Sequence, residues 1–416
     1  MSAQQETAQI GDSVMRMADE LARHSEAAGM LTRTYLTEAH HGAAALLAQW
    51  MNEAGMTVRR DAAGNVIGRY EAAIPGAPAL LTGSHFDTVR NAGKYDGNLG
   101  IILPLACIAR WHRSGTRFPF AIEVIGFAEE EGVRFKATLL GSRAIAGTFD
   151  AAVLERRDDS GATMREVMAA AGFDADALPG AAFRREQALG FVEVHIEQGP
   201  VLLDEGLPVG IVTAISGATR FMVDVAGLAG HAGTVPMGLR RDAAMAAAEI
   251  GLYIERRCSS APGLVGTVGM LQVPDGATNV VPGRALFSID IRAEQDAVRA
   301  AAVRDVLAEM EAIAQRRNVT LQINRTHDAD SVPCAGWLQQ QLEAALASLD
   351  LPLRRLPSGA GHDAMAIAAL TDVAMLFVRC GNGGISHHPD ETMTAADAGI
   401  AAAVFSRFVE RFEPQR

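Results

Sequence analysis

Leu80-Leu81-Thr82-Gly83-Ser84-His85-Phe86-Asp87-Thr88 is the stretch from which this chain is best read. It opens as an apolar, strand-like run and turns polar at His85 and Asp87. Two residues apart on a strand end, these side chains point to the same face. A neutral imidazole can ligate a metal, and a neighbouring carboxylate can orient it. Asp96 follows Gly93-Lys94-Tyr95 and precedes Gly97, which places it on a turn or a helix start. A His-x-Asp pair alone is common on surfaces and in cores, so the weight comes from what lies downstream.

Four further fragments supply it. Phe127-Ala128-Glu129-Glu130-Glu131-Gly132 follows a second strand-like run, Ile122-Glu123-Val124-Ile125. Val194-His195-Ile196-Glu197-Gln198-Gly199-Pro200, Gly230-His231-Ala232-Gly233 and Ile385-Ser386-His387-His388-Pro389 come later. His85, Asp96, Glu130, Glu131, His195 and His387 are nitrogen and oxygen donors that zinc, manganese, cobalt or nickel accepts. Together they are enough for two metals with one carboxylate bridging, a geometry that holds the ions about 3.5–4 Å apart. A carboxylate left off the metals can serve as general base for a water. Glu130 beside Glu131 offers that division of labour. A Glu triplet is ordinarily a solvated loop, but this one directly follows a buried strand.

Around these fragments the chain alternates strands and helices. Amphipathic spacing of Val14, Met17 and Leu21 predicts a helix over 13–27, and another is expected over 40–51. Strands are expected at 57–60, 66–70, 79–83 and 121–127, with a helix over 97–114 before the last. That alternation indicates an α/β domain with a largely parallel sheet, whose strand ends carry the polar motifs. From residue 213 the rhythm changes. Strands at 220–225, 265–273, 285–291 and 319–324, with helices at 240–257 and 293–317, give the order β-α-β-β-α-β of a ferredoxin-like unit. The expected division is 1–213 with 326–416 for the metal-binding domain, and 214–325 for an inserted one. A helix over 334–349, a strand at 374–378 and a helix over 394–412 complete the first domain.

Composition narrows the function. The chain has 416 residues, 49% hydrophobic and 21% charged, with a net charge of −12. An acidic balance argues against nucleic acid or an anionic membrane as partner. The four cysteines, Cys107, Cys258, Cys334 and Cys380, are widely spaced, so buried free thiols are expected and a thiolate metal site is not. The polar first residues lack the apolar core of a secretory signal, and the longest apolar run is interrupted by Pro104, so a cytoplasmic protein is expected.

The sequence resembles the amidase/hydantoinase/carbamoylase family of metal-dependent amidohydrolases. That group includes N-carbamoyl-L-amino-acid hydrolase, β-ureidopropionase and allantoate amidohydrolase, and it sits within the aminoacylase and zinc-exopeptidase superfamily. The fragments above carry the resemblance, together with Asn279-Val280-Val281-Pro282-Gly283, Ser358-Gly359-Ala360-Gly361-His362-Asp363 and Gly384 before Ile385. The resemblance implies a zinc-exopeptidase-like catalytic domain with a ferredoxin-like lid, which also makes a homodimer. It implies two divalent metals: His85 and His195 would each ligate one, Asp96 would bridge, Glu131 would complete the first and His387 the second. Glu130 would be the general base and then the general acid, and Asp87 would orient His85. His231 would stabilise the oxyanion and contact the substrate; Gln198, Asn279, Arg292, Gly361 and His362 would also bind it. The substrate would be a ureido acid, an N-carbamoyl-L-amino acid or allantoate; an aminoacylase or aminopeptidase is a further alternative, and a catalytically silent dimeric binding protein on the same scaffold is a third. Two departures stand out. His388 occupies a position where the family often has Asn or Ser, leaving either His387 or His388 able to ligate, with the Ser386 alignment favouring His387. Ala92 stands where Gly is frequent.

Overall fold

In the computed structural model, which describes residues 3–415, the run after Pro78 forms the strand Ala79–His85, buried along its whole length. It lies in parallel register between Ala121–Phe127 and Ala188–Ile196, with His85 opposite Phe127. Val373–Val378 adds a fourth parallel strand beside Ala188–Ile196. These strands are mostly apolar on both faces, as a parallel sheet covered by helices requires. Antiparallel strands finish the sheet: Val66–Tyr70 and Thr57–Arg60 on one side, Val209–Ile215 on the other. The parallel character expected from the sequence therefore belongs to the centre of the sheet. Ala188–Ile196, Val209–Ile215 and Arg355–Ser358 are strands that the sequence reading did not separate from their surroundings.

Helix Leu99–Ser114 packs on this sheet with most of its length buried, and ends at Gly115, whose φ of 69° gives the left-handed cap. Ala3–Leu21 and Ala395–Glu410 pack against it and each other. The first helix covers Ala3–Leu21 rather than 13–27. Its buried stripe starts earlier, at Ile10, and continues through Val14, Ala18 and Leu21. Beyond it the Ser25 hydroxyl meets the Ala27 and Met30 carbonyls and turns the chain.

The chain divides into two compact units. One comprises Met1–Thr213, Cys334–Leu356 and Gly361–Arg416; the other comprises Ala214–Pro333 and Pro357–Ala360. In the second, the main elements are Gly217–Ala226, helix Ala243–Cys258, Leu264–Thr267, Arg284–Ala293, helix Asp296–Arg317 and Thr320–Ala329. Across its sheet the order is Thr320–Ala329, Gly217–Ala226, Arg284–Ala293, Leu264–Thr267, all antiparallel. Phe221, Val223, Val225, Phe287, Ile289 and Ile291 alternate onto one face, where they share a core with both helices. The strand expected over 265–273 is broken: Leu264–Thr267 and Leu271–Gln272 pair separately with Arg284–Ala293, and between them the Met270 N–H bonds the Ser288 hydroxyl at 3.0 Å. The unit also runs past 325, because Thr320–Ala329 keeps pairing with Gly217–Ala226 as far as Ala329 opposite Ala218. All four cysteines are buried and free. Among the described residues, no helix is long and apolar enough to cross a membrane.

Gly83 sits two residues before His85 with φ 149°, and a Cβ there would lie 2.0 Å from the Ile125 carbonyl oxygen. Gly83→Ala is expected to destabilise the chain by about 1–3 kcal/mol, because the paired strands have to part. Urea denaturation measures this, and an unchanged midpoint would contradict the close pairing.

Candidate metal centre

The carboxyl ends of the four parallel strands converge on one place. His85 ends its strand, Glu130 and Glu131 follow the end of Ala121–Phe127, His195 is next to last in its strand, and His387 lies in the loop after Val373–Val378. Asp96 comes from the turn that leads into helix Leu99–Ser114. Gly97 makes that turn with φ 65°, and a Cβ on it would lie 2.5 Å from the His85 ring.

Asp96 is at the middle of the group. Its Oδ1 lies 3.5 Å from His85 Nε2 and 3.3 Å from His195 Nε2. Its Oδ2 lies 3.2 Å from His387 Nε2, which is also 3.6 Å from Glu131 Oε1. Ligand atoms of His85, Asp96 and His195 fall within 4.8 Å of one another, and so do those of Asp96, Glu131 and His387. Ligand atoms of His85, Glu130 and Glu131 also lie within 4.8 Å of one another, the grouping in which His85 and Glu131 share one metal as expected. The strands of His85 and His195 are parallel neighbours, so the two rings meet with centroids 5.9 Å apart. Glu131 and His387 then form the second set.

Both buried imidazoles point Nε2 inward. His195 Nδ1 lies 2.9 Å from the Ile196 carbonyl, and His85 Nδ1 lies 3.1 Å from the Asp87 carbonyl. A carbonyl only accepts, so each Nδ1 carries a hydrogen and Nε2 is the nitrogen turned toward Asp96, that of His195 also lying 3.2 Å from the Gly97 N–H. The Asp87 carboxylate is 3.5 Å from His85 Nδ1. Its shorter contacts are the N–H groups of Glu130 and Glu131, at 2.9 and 3.1 Å, so it fixes the acidic pair as well as the imidazole.

Charge is unevenly shared. Burial opposes ionisation of Asp96, yet hydrogen bonds from His195, His387 and His85 hold its pKa well below the usual range. Burial likewise opposes a charge on His85, but Asp87 and Asp96 outweigh it and raise its pKa. Burial pushes Glu130 well up, and Glu131 up to about 7. The hydrogen bond to Asp96 raises His387 to about 9. Protons thus stand where cations fit: three imidazoles around one buried carboxylate, with a second carboxylate alongside, form a donor set suited to divalent metals.

The remaining expected residues fall into two groups. Gln198 donates its side-chain N–H to Asp96 Oδ2 at 2.9 Å, so its amide faces that carboxylate. A Cβ on Gly361 would lie 3.8 Å from Glu130 Oε1, and His362 is buried with its ring 4.5 Å from that of His195. His231, Asn279 and Arg292 belong to the smaller unit. There the His231 Nδ1 accepts from the Gly233 N–H, and the Asn279 carbonyl accepts from Ala232. The Arg292 fork is engaged by Asp290, at 2.8 and 3.0 Å, and by the Gly359 carbonyl. His388 turns toward Asp390, which leaves His387 as the ring beside Asp96.

Glu391 and Glu193 escaped the sequence reading. Glu391 is buried and accepts from the N–H groups of Tyr95 and Asp96, at 2.8 and 3.2 Å, and from Ser386. The Ser386 hydroxyl lies 2.8 Å from Glu391 and 2.9 Å from Asp96. It has one hydrogen, so it donates to one carboxylate at a time. Glu193, buried one turn of the pleat before His195, takes the Ser84 hydroxyl and the Ala364 N–H. The signal for both was their position, two residues before and four residues after a ligand histidine.

The family model described as Peptidase family M20/M25/M40 matches residues 81–411. A protein named probable allantoate deiminase, from Oryza sativa subsp. japonica, is 40% identical over 96% of this chain and 88% of its own length. The N-carbamoyl-L-amino acid amidohydrolase of Geobacillus stearothermophilus is 42% identical over 90% of this chain and 92% of its own. Among solved structures, an amidase of the hydantoinase/carbamoylase family from Burkholderia multivorans superposes with a TM-score of 0.90 at 31% identity, covering 96% of this chain and 97% of that one.

To ligate a cation, His387 and Glu131 must lose protons that they hold below about 9 and about 7 in the metal-free protein. Metal affinity is therefore expected to fall as the pH drops through this range, and metal uptake at pH 7 to release protons. Calorimetric titration of metal-free protein with manganese or zinc, in two buffers of different ionisation enthalpy, measures that release. Heats independent of the buffer would contradict it.

Proposed function

This chain belongs to peptidase family M20/M25/M40, and on that footing we propose that it is an amidohydrolase that cleaves the ureido carbon–nitrogen bond of an N-carbamoyl-L-amino acid. The observation that carries the reading is the single carboxylate of Asp96, which faces His85 and His195 with one oxygen and His387 with the other. Two divalent ions, held by His85, Asp96 and His195 and by Asp96, Glu131 and His387, would supply Lewis acidity and a readily ionised water. The nitrogen and oxygen donors suit zinc, manganese, cobalt or nickel.

Glu130 is the general base and acid. It follows the same strand as Glu131, its N–H is anchored on Asp87, and Gly361 leaves space beside its carboxylate. It takes a proton from the attacking water and passes it to the leaving nitrogen. One ureido acid and one water yield the free amine, carbon dioxide and ammonia. His231 would stabilise the oxyanion, and Gln198, Asn279, Gly361 and His362 would orient the substrate. Arg292 would exchange the carboxylate of Asp290 for that of the substrate, a trade its fork geometry permits. The strand order of the smaller unit suits a ferredoxin-like domain, which we read as a closing lid and the half through which two chains pair.

Allantoate is the second reading. It carries the same ureido and carboxylate groups, and the relatives named allantoate deiminase align over 96% of this chain.

Ammonia release by the metal-loaded protein tests both. Several N-carbamoyl-L-amino acids, N-carbamoyl-β-alanine, allantoate and an N-acetyl amino acid form the panel. Ammonia from one ureido acid is expected, with kcat reduced about 10²–10⁴-fold in Glu130→Gln while metal content is unchanged. Deacetylation without ammonia from any ureido acid would move the chain to the aminoacylases.

A further inference from the structure

We propose that Arg33 is a positioning residue for the metal centre, its buried guanidinium tying the segment that bears His85 and Asp87 to the turn that bears Asp96. The inference rests on the metal-centre reading above. Arg33 is fully buried, at 0% exposure. Its Nε donates to the Phe86 carbonyl at 2.5 Å, and Phe86 is the residue between His85 and Asp87. Its Nη2 donates to Asn98 Oδ1 at 2.6 Å. Asn98 closes the turn around Asp96: its main-chain N–H bonds the Asp96 carbonyl at 2.6 Å and its Nδ2 bonds the Lys94 carbonyl at 3.4 Å. One planar group therefore grips both ligand-bearing segments from behind.

The main chain of Arg33 adds a second grip. Its N–H bonds the Thr88 hydroxyl and its carbonyl takes the Thr88 N–H, each at 2.9 Å. Nη1 reaches the Leu21 and His24 carbonyls, at 2.9 and 3.2 Å, so the whole clamp is braced against the end of the first helix. All of these acceptors are neutral. A buried cation whose own hydrogen bonds reach only neutral acceptors, with Asp87 as the nearby charge that favours it, costs free energy that packing alone does not repay. An ammonium cannot replace the fork, because a single point donor cannot span the Phe86 carbonyl and the Asn98 side chain together.

Two explanations of that buried charge predict opposite signs. If Arg33 matters through position, loss of its fork loosens the ligands and weakens metal binding even when the charge stays. If it matters through its charge, which repels incoming cations, its removal strengthens metal binding. The test uses the full chain, stripped of metal and titrated with zinc or manganese against a chromophoric chelator. Wild type is compared with Arg33→Lys, Arg33→Met and Asn98→Ala, and thermal unfolding of each metal-free form is followed in parallel. Arg33→Lys, Arg33→Met and Asn98→Ala are each expected to weaken metal binding about ten-fold or more. The rise in unfolding temperature on adding metal should shrink with it. Should the Arg33 variants fail to fold, Asn98→Ala removes the same link from the other end and carries the test. Wild-type affinity in Arg33→Lys and Asn98→Ala, or tighter binding in Arg33→Met, would overturn the proposal. Absence of metal binding by the wild type would overturn the metal centre itself, and this role with it.

Discussion

A single buried carboxylate with two differently occupied oxygens is the constraint around which the larger unit is built. Asp96 is only 4% exposed, and three imidazole nitrogens lie within 3.5 Å of it. Nothing in its own turn brings those rings together. They arrive because neighbouring parallel strands end at the same level, so that His85 and His195 emerge side by side, and because the loop after the next strand returns over them. The sheet thus acts as a ruler, and the turn before helix Leu99–Ser114 supplies the point that it measures from.

Holding that many carboxylates close together is unfavourable without cations, and the chain meets the cost with main-chain donors. Asp87 takes the two N–H groups of the acidic pair, and Glu391 takes those of Tyr95 and Asp96. These bonds set the backbone of the ligand-bearing loops, which is a stricter requirement than neutralising charge. In the absence of metal, the raised pKa values of Glu131 and His387 show the same balance struck with protons.

Much of this was legible in the sequence. Period-two alternation and the switch from apolar to polar at His85 located the strand ends, and the acidic pair followed from its place after a buried strand. Which strands lie side by side in the sheet was not legible, because chain order does not state that. Ala188–Ile196 was not separated from its surroundings, since Glu193 inside it interrupts the apolar run and finds its partners in Ser84 and Ala364, from distant segments. Arg33 carried no signal: a lone arginine between two threonines reads as solvated until its four neutral acceptors are seen. The break in the strand after Thr267 was hidden for a similar reason, as the Ser288 hydroxyl that replaces the ladder there lies across the sheet.

The ligand rings differ in how they meet water. The side chains of His85 and His195 are 4% and 1% exposed, whereas that of His387 is 50% exposed on a backbone with φ 56°. Ligand exchange at a cation starts with the donor that solvent can displace. Were two ions bound as proposed, the one held by His387 and Glu131 would therefore leave and return first, while its neighbour behind the two buried rings would be slow to exchange. The pair would differ in lifetime even with similar donors, and a protein loaded with one metal and then exposed to another would become a hybrid with the newcomer on the His387 side.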